Sequence, residues 1–236
     1  FAALGFPKWK FVGKLGILAG ILILSFYNVV AGWAFGYFVQ LSLGNFEIVS
    51  QFGEYINNIG RIGLYGAVFM LATAYVVSRG ISGGIEKASK ILMPTLVIII
   101  VILAIYAMTL PHALKGISYY LVPQFSEINF KVVYNALGQA FFSLSLGVGS
   151  MLVLASYTSK SENLVRLGRL VTLSDVGIAF LAGLLIIPAM YAASAAGTQI
   201  FDDAGNLISG PNLIFQVLPA LFKSMGSIGI VVSIVF

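Results

Sequence analysis

The sequence predicts an all-α, polytopic membrane protein in which one spanning helix is broken at mid-membrane. Three observations carry this. Hydrophobic residues make up 59% of the 236 residues and charged residues 9%, whereas a soluble chain carries about a quarter charged; so few charges cannot cover a soluble fold of this size. Apolar stretches long enough to cross a bilayer recur along the whole chain, too many and too evenly spread to be one signal sequence. One of these stretches gathers Ser143, Ser145, Gly147 and Gly149 at its centre, a composition that disfavours a continuous helix.

Taken in order, the spans fall at about 13–38, 61–79, 90–110, 135–158 and 170–197, with the start of another at 225–236, in a single transmembrane fragment. The opening FAALGFPKWKFVGK has no initiator methionine and reads as an amphipathic interface segment, with Trp9 at headgroup depth and Lys8 and Lys10 reaching water. The first span carries Ser25, Phe26, Tyr27, Asn28 and Trp33 through its middle and outer half. The connector SRGISGGIEKASK (78–90) is short and basic, and Pro94 is expected near enough to the start of the third span to be tolerated. HALKGISYYLVPQFSEINF (112–130) is expected to fold over the protein from outside, and the segment 201–224 to form an outer helical hairpin with a turn at Asp203, Ala204 and Gly205. The chain stops at Phe236 inside an apolar run and is read as an interior fragment.

The net charge is +5, but its distribution argues against nucleic acid, which needs basic residues on one continuous face. Lys8, Lys10 and Lys14, then Arg79, Lys87 and Lys90, then Lys160, Arg166 and Arg169 occupy alternate loops. The intervening loops hold Glu47, Glu54, Arg61, Glu127, Asp202 and Asp203. This is the positive-inside pattern, and it puts the basic loops in the cytoplasm. With no cysteine, disulfides, thiolate metal sites and cysteine nucleophiles are excluded.

The fourth span is the unusual one. A helix break in hydrocarbon leaves backbone groups unsatisfied at several kcal/mol each, so it is tolerated only beside protein, ions or a water-filled cavity. Discontinuous helices at mid-membrane point to transport sites. Asp175, early in the fifth span, is an ionisable residue at membrane depth and so a functional candidate, unless it lies at the helix end and complements the dipole. The serines of the break either line a site or bond back to their own helix. Tyr27 is either an interfacial aromatic or, near mid-span, a working hydroxyl, and Gln139 either bridges two helices or gates a site.

Several segments, in the right order, resemble the neurotransmitter:sodium symporters in their bacterial amino-acid-transporting branch. SFYNVVAGW (25–33) is similar to the family's third helix, SRGISGGIEKASKILMPTL (78–96) to its fourth-to-fifth connection, and GQAFFSLSLGVGSMLVLASY (138–157) to its broken sixth helix. The resemblance runs from just before the third helix into the start of the eighth. It implies part of an inverted-repeat (5+5) fold in which sodium drives amino-acid uptake by alternating access, with the first, second and later helices of the parent protein missing and, with them, the second sodium site.

By the same resemblance, Tyr27 binds the substrate carboxylate, Ile23, Phe142, Ser143, Ser145 and Val148 line the substrate pocket, and Phe142 covers it as a lid. Ser143 and Asp175 are the implied ligands of the first sodium, and Gln139 resembles a gate and chloride-site residue. Val148 stands where some members have a larger aromatic, which favours a bulky apolar substrate. The carboxylate position best known in bacterial members falls on Ala179, so Asp175 is expected to be both sodium ligand and chloride substitute, and chloride is not required. The partners are then a small amino acid and the bilayer, with no nucleic acid.

Other readings are a proton-coupled amino-acid permease of a related inverted-repeat fold, with Asp175 as proton carrier, and a non-transporting homologue. An intramembrane enzyme is not expected. One carboxylate with no histidine or lysine at membrane depth leaves the serines without a base, the lone His112 belongs to an outer loop, and the G-x-G at Gly147 and Gly149 is too short for phosphate.

Overall fold

The computed structural model describes residues 5, 7–49, 52–159, 161–195, 200, 201, 207, 210–225 and 230. Lys160, Asp202, Asp203, the turn at 203–205 and most of 225–236 lie outside them. The described residues form helices α1 (Lys10–Ser42), α2 (Phe52–Asn57), α3 (Ile59–Ser78), α4 (Glu86–Met108), α5 (Ala113–Leu121), α6 (Phe130–Ser143), α7 (Ser150–Ser156), α8 (Leu164–Ala195) and α9 (Pro211–Ser224), with one isolated antiparallel bridge, Phe201 to Leu207. Four helical segments are long and apolar enough to cross a membrane: Pro7–Ser42, Ile59–Ser78, Ile81–Met108 and Leu164–Ala195.

Local chemistry sets the starts of three helices. Asn58 accepts a hydrogen bond from the Arg61 amide at 3.0 Å and caps α3, Asn129 accepts from Val132 at 3.0 Å and caps α6, and Asn163 accepts from Arg166 at 3.1 Å as α8 begins. These caps pull two starts upstream of the hydropathy estimate: α6 begins at Phe130 rather than near 135, and α8 at Leu164 rather than near 170. Pro94 does not fall near a helix start. A π-helical turn, Ile81–Ile85, runs directly into α4, so Pro94 lies well inside the helical run.

The chain forms two compact units. The first comprises Phe1–Tyr27 and Pro123–Ala179, and the second Asn28–Val122 and Phe180–Phe236. In the second unit the core is built on Leu103, Leu185, Met190, Ile200 and Val217, all fully buried. Trp33, Tyr37, Phe52 and Phe215 form an aromatic cluster with ring centroids 5.1 to 6.0 Å apart, which seats α9 on the outer half of α1. Tyr55, whose hydroxyl donates to the carbonyls of Gly32 and Trp33 at 3.5 and 3.4 Å, adds a polar tie from α2. Burial, reinforced by Tyr65 and opposed by Arg61, pushes the Tyr55 phenol up to about 12, so it remains a donor at any ordinary pH. The expected outer segment is α5, which lies across α8: Tyr120 donates to the Phe180 carbonyl at 3.4 Å, and Tyr119 meets Tyr191 at 5.9 Å.

Gly32 lets α1 and α3 touch backbone to backbone. A Cβ there would sit 3.0 Å from the Ile62 carbonyl oxygen and 3.1 Å from the Gly66 nitrogen. Gly32→Leu is therefore expected to force the helices apart and to cost about 1–3 kcal/mol, seen as a lower unfolding temperature in detergent, with Gly32→Ala intermediate between leucine and wild type.

Candidate functional site

The first unit contains the break. α6 ends at Ser143 with the chain turning back on itself: the amides of Leu144, Ser145 and Leu146 donate to the carbonyls of Ala140, Phe142 and Phe141 at 3.1, 3.0 and 2.8 Å. Ser145, Gly147 and Gly149 then adopt left-handed backbone with φ of 54°, 81° and 85°, before α7 begins at Ser150. Two of the three are glycine, which takes this conformation at no steric cost. Ser145 does not have that freedom, and a non-glycine residue held there stores strain of the kind that collects at functional sites.

Around the break lies a cavity of about 330 Å³, within the range of small-molecule sites. From α1 come Ile23 and Tyr27; from α6, Gln139, Phe142 and Ser143; from the break, Ser145 and Val148; and from α7, Ser150. Every residue singled out from the sequence for the pocket or its gate thus lines this one cavity. Asp175 reaches it from α8 through Ser143, whose hydroxyl lies 2.7 and 2.8 Å from the two carboxylate oxygens. Since α8 starts at Leu164, Asp175 is about 16 Å along the helix axis. That is far beyond the first turn, where a carboxylate would serve the helix dipole. A larger depression of about 450 Å³ is lined by Tyr134, Asn135, Leu137, Gly138 and Phe141 of α6 alone; it is one flank of a single helix, without the convergent polar groups of a site.

Some hydroxyls of the chain are bonded to backbone and others are not. Ser25, Ser78 and Ser156 fold back onto carbonyls of their own helices at 2.6 to 2.8 Å, and Tyr37, Tyr55 and Tyr120 donate to backbone carbonyls. The side-chain hydroxyls of Tyr27, Ser145 and Ser150 make no hydrogen bond among the described residues, and each of these residues borders the cavity. Ser150 was missed in the sequence. Its signal was its place as the first residue after the break, where no preceding helical turn offers a carbonyl to fold back on.

The break also approaches α1 away from the cavity lining. On α1, Gly16 lies two turns before Ile23, and a Cβ on it would stand 3.6 Å from the Gly149 Cα and 3.8 Å from the Val148 carbonyl oxygen. The break therefore rests directly on α1.

Comparison with known proteins then identifies the chain. The profile of the sodium:neurotransmitter symporter family matches residues 44–236. The chain belongs to this family. It is 36% identical over 92% of its length to an uncharacterised sodium-dependent transporter, YhdH, of Bacillus subtilis, of which it covers 47%. To an uncharacterised sodium-dependent transporter of Haemophilus influenzae it is 34% identical, covering 92% of the chain and 48% of the relative. Among solved structures it is similar to MhsT in complex with L-phenylalanine, with a TM-score of 0.82 and 38% identity over 97% of this chain and 51% of MhsT. The chain spans about half the length of the relatives it matches. As a symporter-family chain with several membrane-crossing helices it is an integral, multi-pass membrane protein, and it has the fold class expected: part of an inverted-repeat transporter fold with a discontinuous helix.

The strain at the break makes a stability prediction. Gly149→Val, a β-branched residue at φ 85°, is expected to cost about 1–3 kcal/mol, whereas Ser145→Gly removes a left-handed serine and should leave stability unchanged or raised. Thermal unfolding of the two variants in detergent measures the difference.

Proposed function

We propose that this chain serves in a sodium-coupled symporter that carries an apolar amino acid across the bacterial plasma membrane by alternating access, with substrate and ion bound at the break between α6 and α7. The observation that carries the reading is the cavity itself, where the free hydroxyl of Tyr27 and the Ser143–Asp175 pair face apolar Ile23, Phe142 and Val148. The L-phenylalanine in MhsT and the sodium-dependent transporters among the relatives support it.

Each group has a part that its chemistry allows. The Tyr27 hydroxyl donates to the substrate carboxylate. Phe142 and Val148 receive the side chain, and Val148 leaves room for a bulky one. Sodium is cargo here, and a hard monovalent cation wants oxygen. Ser143 and Asp175 offer a hydroxyl and a carboxylate 2.7 Å apart, and the break adds carbonyls no longer committed to a helix. When sodium binds, the Ser143 proton rotates off Asp175 so that both present lone pairs to the ion. Sodium, one carboxylate and a zwitterionic substrate sum to zero charge, so no chloride is needed at the site. Gln139, on the turn before Phe142, bounds the cavity as a polar gate. Arg79, Lys87, Lys90, Arg166 and Arg169 lie at helix ends that, for successive crossings, share the side of Lys8, Lys10 and Lys14, which supports a cytoplasmic position for these ends.

The test is uptake of labelled L-phenylalanine by the full-length protein in proteoliposomes. Uptake is expected with sodium outside, not with potassium, and is expected to persist when gluconate replaces chloride. Asp175→Asn should raise the sodium concentration for half-maximal uptake by about tenfold or more. Equal uptake in sodium and potassium contradicts the reading, and if that uptake follows a proton gradient Asp175 is a proton carrier instead.

A further inference from the structure

We propose that Ser150 is a specificity-determining residue of the cavity, which extends its range from apolar side chains to bulky ones that end in a hydrogen-bonding group, such as the phenol of tyrosine. The inference rests on the amino-acid reading above and extends it to the far end of the substrate.

Ser150 is the first residue of α7 and lines the same cavity as Tyr27 and Ser143. Its hydroxyl has no hydrogen bond among the described residues. In mid-helix a serine satisfies itself on a carbonyl three or four residues back, as Ser156 does on Val153 at 2.6 Å. At Ser150 the preceding residues are the left-handed break, so that partner is missing and the hydroxyl is left for a ligand.

The polar groups of the cavity divide by what already occupies them. Ser143 is committed to Asp175, and this end takes the charged groups of the substrate. Ser150 follows the break in sequence, two residues after Val148, and lines the same cavity. A small side chain at Val148 is what allows a long substrate side chain to pass toward Ser150. Gly149, the residue immediately before Ser150, lies opposite Gly16 of α1, where a Cβ added to Gly16 would stand 3.6 Å from the Gly149 Cα. A hydroxyl so placed rewards a matching polar tip and gives nothing to a purely apolar one, the asymmetry by which sites tell tyrosine from phenylalanine.

The experiment is competition of unlabelled L-tyrosine against labelled L-phenylalanine on the purified full-length protein in sodium, for wild type, Ser150→Ala and Ser150→Thr. Loss of one neutral hydrogen bond should lower tyrosine affinity relative to phenylalanine by about 3- to 10-fold in Ser150→Ala, and Ser150→Thr should keep the wild-type ratio. A wild-type ratio in Ser150→Ala overturns the inference, as does an equal loss of both ligands, which would mean that Ser150 meets the shared ammonium or carboxylate or merely supports the break. If wild type binds neither amino acid in a sodium-dependent way, the proposed function fails and this inference with it. Sodium-dependent phenylalanine binding with no effect of Ser150→Ala leaves the function standing and removes Ser150 alone.

Discussion

A helix that stops inside the membrane must find other partners for its backbone. At Leu144 to Gly149 the ladder of α6 is abandoned and α7 restarts only at Ser150, so amides and carbonyls are exposed at a depth where water is scarce and each unsatisfied group costs several kcal/mol. The rest of the first unit answers this constraint. Three amide bonds close the end of α6, left-handed residues turn the chain, and Gly149 of the break lies opposite Gly16 of α1. The groups that stay open face a cavity instead of lipid.

The same constraint explains why a carboxylate is tolerated where hydropathy forbids one. Asp175 on an isolated helix at mid-membrane would be costly. Here it meets the Ser143 hydroxyl at the end of α6. One hydroxyl does not compensate a full negative charge, and the remaining demand is for a cation. Break, carboxylate and cavity therefore form one electrostatic unit, in which the uncommitted carbonyls and the charge need the same ligand.

Much of this was legible in the sequence, because bilayer thickness and backbone satisfaction act on composition directly. The apolar runs located the spanning helices, and the cluster of Ser143, Ser145, Gly147 and Gly149 located the break to within a residue or two. Helix starts were less legible. Asn129 and Asn163 begin α6 and α8 in polar sequence, where capping and not hydropathy decides, and the earlier start of α8 moves Asp175 further from the helix end, against the dipole alternative. Pro94 was misplaced because the connector at 81–85 is itself helical, in a π turn that hydropathy does not register. Ser150 and Gly16 were missed for a different reason. Their importance lies in a contact between segments far apart in the chain, and no local pattern encodes that Gly149 sits on Gly16.

The central claim is that the break is the ligand site, and amide hydrogen exchange on the full-length protein tests it most directly, since exchange reports local opening residue by residue. The peptide covering 139–150 would be followed in potassium, in sodium, and in sodium with L-phenylalanine. The account predicts that sodium with L-phenylalanine slows exchange in this peptide strongly, that sodium alone slows it less, and that potassium leaves it fast. Exchange at 139–150 that is the same in all three conditions, while sodium and substrate protect some other segment, would contradict it.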